Sequence, residues 1–163
     1  MKMMFRLGLA AALMMSCGLA NAATTTSTFQ VKLTIQSQCT IVSTSALDFG
    51  TNGVINANID QSNALNVQCT NTTPYNIGLN AGANGGTVAT RLMKGGPSNE
   101  TIGYTLYTTN ARTTVWGNTV GTDTVTGTGN GASQNYPIYG RVVAQTTPTP
   151  GNYADTVTVT VTY

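Results

Sequence analysis

The stretch "DTVTVTVTY", residues 155–163, alternates Thr with Val or Tyr from Thr156 to the last residue. In an extended chain, successive side chains point to opposite faces, so strict alternation marks a β-strand with one buried face. Val157, Val159, Val161 and Tyr163 then face a core, and the threonines face away. A strand also has two hydrogen-bonding edges, and an open edge must be paired or protected. What lies beside this strand decides what kind of β-protein the chain makes.

Alternation recurs elsewhere. "TFQVKLTI", residues 28–35, sets Phe29, Val31, Leu33 and Ile35 on one face and Gln30, Lys32 and Thr34 on the other. Shorter strand candidates occupy residues 39–42, 64–69, 75–79, 101–107, 113–116, 137–144 and 156–163. Between them stand the Asn-Gly pairs 52–53, 84–85 and 130–131, favoured where φ is positive. "AGANGG" (81–86) and "GTGNG" (127–131) are Gly-rich loops, and "TTPTPG" (146–151) is a Pro-rich connection. No stretch past the leader carries a 3.6-residue period. Many short strands separated by turn signals predict an all-β sandwich or barrel.

Residues 1–22 have the format of a secretory signal peptide. Lys2 and Arg6 are the positive start, Leu7 to Met15 the short apolar run, and Ala20-Asn21-Ala22 the small-residue cleavage site. The run is too short to span a membrane, and nothing later approaches the roughly 18 apolar residues a span needs. No membrane insertion is expected after signal cleavage. Cys17 raises lipidation as an alternative, but Met14, Met15 and Ser16 before it match such a site poorly.

From Ala23 onward the chain carries five basic residues (Lys32, Arg91, Lys94, Arg112, Arg141) and five acidic ones (Asp48, Asp60, Glu100, Asp123, Asp155). The formal balance is neutral. No basic patch or charge run exists, so no nucleic-acid partner is expected. Low net charge also removes a barrier to self-association. Two cysteines remain, Cys39 and Cys69. In an exported chain an even pair reads as a disulfide, worth roughly 3–4 kcal/mol in the chain-entropy account. A metal site is the competing reading; without any His, two isolated thiolates are too few.

The missing His also removes the usual Ser-His and Cys-His nucleophile pairings. The five acids are scattered, with no sequence sign of a converging glycosidase pair. A Ser-Lys dyad through Lys32 or Lys94 has no supporting motif. "GTGNGA" (127–132) lacks the βαβ context of a nucleotide loop, and two Asn-X-Thr matches, at Asn71 and Asn99, are chance matches beside a bacterial-type signal. No enzyme activity and no cofactor is expected. Asp155 reads as a structural cap or turn residue. Tyr104, Tyr107 and Trp116 suggest either a carbohydrate platform or core packing, the latter being the commoner fate of strand aromatics.

Three stretches together carry a family resemblance: "YTLYTTNARTTVWG" (104–117), "PIYGRV" (137–142) and "GNYADTVTVTVTY" (151–163). With "VKLTIQSQC" (31–39), they resemble the spore coat protein U domain family and, within it, the major subunits of Csu-type, archaic chaperone–usher pili. The resemblance spans residues 29–163. It implies an immunoglobulin-like sandwich lacking its last strand, completed by donor-strand complementation from another molecule. It divides the chain into a signal peptide (1–22), a donor-strand extension (23–37) and an incomplete pilin domain (38–163).

The implied donor residues are Phe29, Val31, Leu33 and Ile35. The implied acceptor and chaperone-binding strand carries Val157, Val159, Val161 and Tyr163. The implied partners are other copies of the chain, a periplasmic chaperone and an outer-membrane usher. The implied destination is a cell-surface pilus supporting attachment and biofilm formation. Alternatives are a minor or tip subunit, a monomeric ligand-binding module, and a spore or cyst coat protein. The alternative structural reading of residues 29–35 is the first strand of their own domain.

Overall fold

The computed structural model describes residues 22–163. The signal-peptide expectation, with Cys17, lies outside the described residues but for Ala22. The chain divides at residue 34, and the domain occupies residues 35–163. Residues 22–38 belong to no strand, so residues 29–35 are not a first strand of their own domain.

Nine strands follow: β1 (Cys39–Thr44), β2 (Ile59–Cys69), β3 (Pro74–Leu79), β4 (Arg91–Gly95), β5 (Glu100–Tyr107), β6 (Val125–Thr128), β7 (Ser133–Val142), β8 (Tyr153–Ala154) and β9 (Val159–Thr162). They form a six-stranded sheet, β1-β2-β7-β5-β4-β8, and a three-stranded sheet, β6-β3-β9. All pairings are antiparallel. There is no helix among the described residues. The architecture is an all-β, immunoglobulin-like sandwich.

The core lies between the sheets and follows the alternation of its strands. Leu65, Val67 and Cys69 of β2 face Tyr75, Ile77 and Leu79 of β3, with Leu106 of β5 and Ile138 and Val142 of β7 completing the interior. Trp116 is buried, and its indole N–H donates a 2.8 Å hydrogen bond to the carbonyl of Ile77, satisfying the one polar atom of a large apolar group. Tyr104 is buried as well, and Tyr107 half-buried, so Tyr104 and Trp116 serve packing rather than a surface platform. Cys39 and Cys69 stand directly opposite one another in the β1–β2 ladder and are disulfide-bonded, as the sequence predicts.

Several element boundaries differ from expectation for local reasons. Residues 113–116 form no strand: Arg112 takes φ 55°, the chain doubles back, and Val115 makes an isolated bridge to Tyr107. β7 stops at Val142 because the next amide to bond, that of Ala144, donates to Asn58 Oδ1 instead of a ladder carbonyl. β4 and β6 had no clear sequence signature. β4 interrupts alternation with Arg91 and Lys94. β6 contains Gly127, where a Cβ would sit 2.6 Å from the Tyr75 ring. Of the Asn-Gly pairs, Gly85 (φ 82°) and Gly131 (φ 78°) take the left-handed conformation; in the third turn Gly50 (φ 76°) does so rather than Gly53.

The closing stretch also departs from a single strand over 156–163. Tyr153 and Ala154 pair with Gly95 and Lys94 of β4 in the large sheet. Past Asp155 the chain crosses, and Val159 to Thr162 pair with Leu79 to Asn76 of β3 in the small sheet.

Candidate functional site

β9 is an edge strand. It bonds β3 on one side through four register pairs, and among the described residues no strand pairs with its other side. β1 is likewise an edge of the large sheet. Between the sheets, beside β9, runs an open groove of about 1160 Å³. Its apolar walls are the half-buried Leu47, Phe49, Met93, Ile102, Val157 and Val159. A finished sandwich buries such side chains, because each fully buried one contributes about 1.5–3 kcal/mol. The groove exceeds the roughly 300–1,000 Å³ of a small-molecule pocket, a size suited to an extended peptide rather than a compact ligand.

The non-strand segment 45–58 forms one wall. Its Leu47 and Phe49 lie over Gly140 of β7, where a Cβ would meet Leu47 Cδ2 and Phe49 Cζ at 2.9 Å. Phe49 also meets Tyr104 edge-on, with ring centroids 6.3 Å apart. Gly140, within the "PIYGRV" stretch, is thus a seat for two apolar side chains. Ile55 fastens the segment's far end: its amide donates to Thr147 Oγ1 and its carbonyl accepts from Gln145 N.

Polar anchors hold the other wall. Asp155 sits where the chain changes sheets. Its Oδ1 accepts hydrogen bonds from the amides of Ala83 and Thr156 and from Asn84 Nδ2, and its Oδ2 accepts from Tyr104 Oη at 2.7 Å. Burial, then the bond to Asp155, pushes the Tyr104 phenol well above the usual tyrosine range. Glu100 fixes the Pro-rich connection by accepting from the Thr149 amide (2.8 Å) and hydroxyl and from Tyr153 Oη. These bonds from Thr149 hold its carboxyl below the ordinary value.

Arg91, the first residue of β4, has no exposed surface and no carboxylate partner. Its guanidinium donates to four backbone carbonyls: Asn80 and Val88 (2.7 Å each), Leu79 (2.9 Å) and Trp116 (2.7 Å). Burial lowers its pKa from the ordinary arginine value. The fork gathers the ends of segments leaving β3 and returning after β5, behind the groove floor at Leu79. On the outer face of the large sheet, Arg141 bonds both oxygens of Asp60 at 2.7 Å, and Arg112 approaches it at 3.3 Å.

The sequence-predicted site residues fall in two places. Val157 and Val159 line the groove, Val161 packs against the core, and Tyr163 lies past β9, 59% exposed. Phe29, Val31, Leu33 and Ile35 are 71–87% exposed. Sequence reasoning missed Arg91, Glu100, Gly140 and the Leu47–Phe49 wall. The one signal for the first of these was a charged residue directly before the apolar pair Leu92 and Met93. No cluster of three metal-ligating side chains exists among the described residues.

Fold and groove define a class: an immunoglobulin-like sandwich left open along its last strand. The chain belongs to the spore coat protein U domain family. The family model described as Spore Coat Protein U domain matches residues 25–160. Protein U of Myxococcus xanthus is 32% identical over 168 residues, covering 94% of this chain and 93% of that protein. Among solved structures, the CsuC–CsuE chaperone–tip adhesion subunit pre-assembly complex from archaic chaperone–usher Csu pili of Acinetobacter baumannii is similar in fold. Its TM-score is 0.57 at 24% identity, over 80% of this chain and 40% of that one.

Proposed function

We propose that the chain is a structural pilus subunit that polymerises by strand donation. Residues 29–35 of one copy lie along the free edge of β9 in another, with Phe29, Val31, Leu33 and Ile35 filling the groove. The observation that carries this reading is the pairing of two incomplete features in one chain: a groove walled by half-buried apolar side chains, and an alternating apolar segment that joins no strand. An added strand gains a full row of backbone hydrogen bonds, and its alternate side chains enter the groove.

Burying four such side chains contributes about 6–12 kcal/mol before ordering costs. That compares with the roughly 5–15 kcal/mol stability of a whole domain. Insertion is therefore strong enough to complete the acceptor's fold. Before insertion the flat β9 edge needs cover, the task of a periplasmic chaperone, with an outer-membrane usher as assembly platform. Export through the periplasm, a place on the cell surface and a role in attachment and biofilm formation follow from this reading, as does a non-enzymatic role. Among the described residues no helix is long and apolar enough to cross a membrane.

The test is removal of residues 23–35. The shortened subunit is expected to accumulate with its chaperone and form no fibres by electron microscopy; fibres of normal length from it would overturn strand donation. A second reading, assembly into a coat, is favoured by the family's description. Labelled microscopy on intact cells separates surface fibres from a continuous coat.

A further inference from the structure

The first residue of the domain's first strand is also the residue that carries the crosslink. Ile35, the last of the four alternating apolar side chains, stands four positions before Cys39. Cys39 is the first residue of β1, and its disulfide partner Cys69 is the last residue of β2.

The two strands are held very differently. β1 pairs with β2 through five register pairs, broken by a shift between Ile41 and Ser43, and its residues after Cys39 are exposed. β2 pairs with β7 through ten pairs without a shift, from Ile59–Val142 to Gln68–Ser133, and buries Leu65, Val67 and Cys69. A pull entering the domain through its N-terminal segment reaches β1 first. Carried by the backbone alone, it loads a short, irregular, solvent-exposed ladder from its end. Once β1 and the segment 45–58 let go, about twenty residues pay out before β2, roughly 70 Å of extended chain.

We infer that the Cys39–Cys69 disulfide is a mechanical joint of the fibre, passing tension from the N-terminal segment past β1 and directly into β2. The force then meets the longest uninterrupted ladder of the sandwich. β1 and Leu47 and Phe49 of the following segment, which wall the groove, stay in place while the fibre is pulled. This inference rests on the strand-donation reading, since tension arises when a second copy holds residues 29–35.

The experiment pulls single fibres, assembled from the full chain, before and after disulfide cleavage by a phosphine reductant. Thiol labelling counts the cleaved bonds. Cleaved fibres are expected to lengthen in additional steps drawn from a released length of about 70 Å per subunit, less the span that stretch already covers in the fold, at forces where intact fibres show none. Superposable traces from intact and fully cleaved fibres would overturn the inference, as would the same steps in intact fibres. Fibres of the Cys39→Ala, Cys69→Ala double variant provide the crosslink-free state independently. If that variant fails to fold, cleavage in preassembled fibres still decides. Full-length chain that never forms fibres would instead sink the polymer reading, a distinct result.

Discussion

Tyr104 Oη donates a 2.7 Å hydrogen bond to Asp155 Oδ2, tying the middle of β5 to the point where the closing stretch leaves the large sheet for the small one. Asp155 also collects the amides of Ala83 and Thr156 and the side chain of Asn84. Asp155→Ala strands these donors and is expected to cost about 2–4 kcal/mol in chemical denaturation. Tyr104→Phe removes one charge-assisted bond and is expected to cost about 1.5–3 kcal/mol. Because the folded phenol's pKa is raised, its stabilisation is complete below about pH 10, the unfolded value, and declines as pH rises further. Alkaline titration of the wild type against Tyr104→Phe reads this directly.

Arg91 replaces a salt bridge with four carbonyls. A lysine has three donors on a point charge and lacks the planar fork. Arg91→Lys is expected to lose about 3 kcal/mol. Arg91→Met leaves all four carbonyls without this donor and is expected to lose more, measured by the urea midpoint.

The Asp60 carboxyl is held below its ordinary value, chiefly by the hydrogen bonds from Arg141 and secondarily by Arg112. A depressed carboxylate stabilises the fold above its unfolded pKa, about 3.9, and the gain is lost as pH falls through the folded value. The pair is largely exposed, so solvent screening keeps the gain small. Asp60→Asn is expected to melt earlier than wild type at pH 7, with the difference shrinking as pH falls below about 3.9.

Val31→Asp and Leu33→Asp separate folding from assembly. Both side chains are more than 80% exposed, so each change is expected to move domain stability by less than about 0.5 kcal/mol. Each places a charge where strand donation needs an apolar side chain, and fibre yield by electron microscopy is expected to fall at least tenfold. Normal yield from both would count against the proposed donor register.

The alternation of residues 155–163 was legible because a two-residue period is a local property of the chain. So were the all-β class, the paired cysteines and most strand positions, each of which rests on neighbours in sequence. Asp155 was legible as a structural residue, though not as the hub it is. Arg91, Glu100 and Gly140 were not legible, because all their partners except Val88 lie 11 to 93 residues away and only packing brings them near.

The sequence by itself determined that the last stretch is a strand with one apolar face. Alternation is a matter of covalent geometry and needs no tertiary contact. Only the tertiary structure decided that this stretch serves two sheets, turning at Asp155, and that the half entering the small sheet has a partner on one side alone. An open edge cannot be read from a strand's own residues, because edge status is set by which other strand arrives beside it.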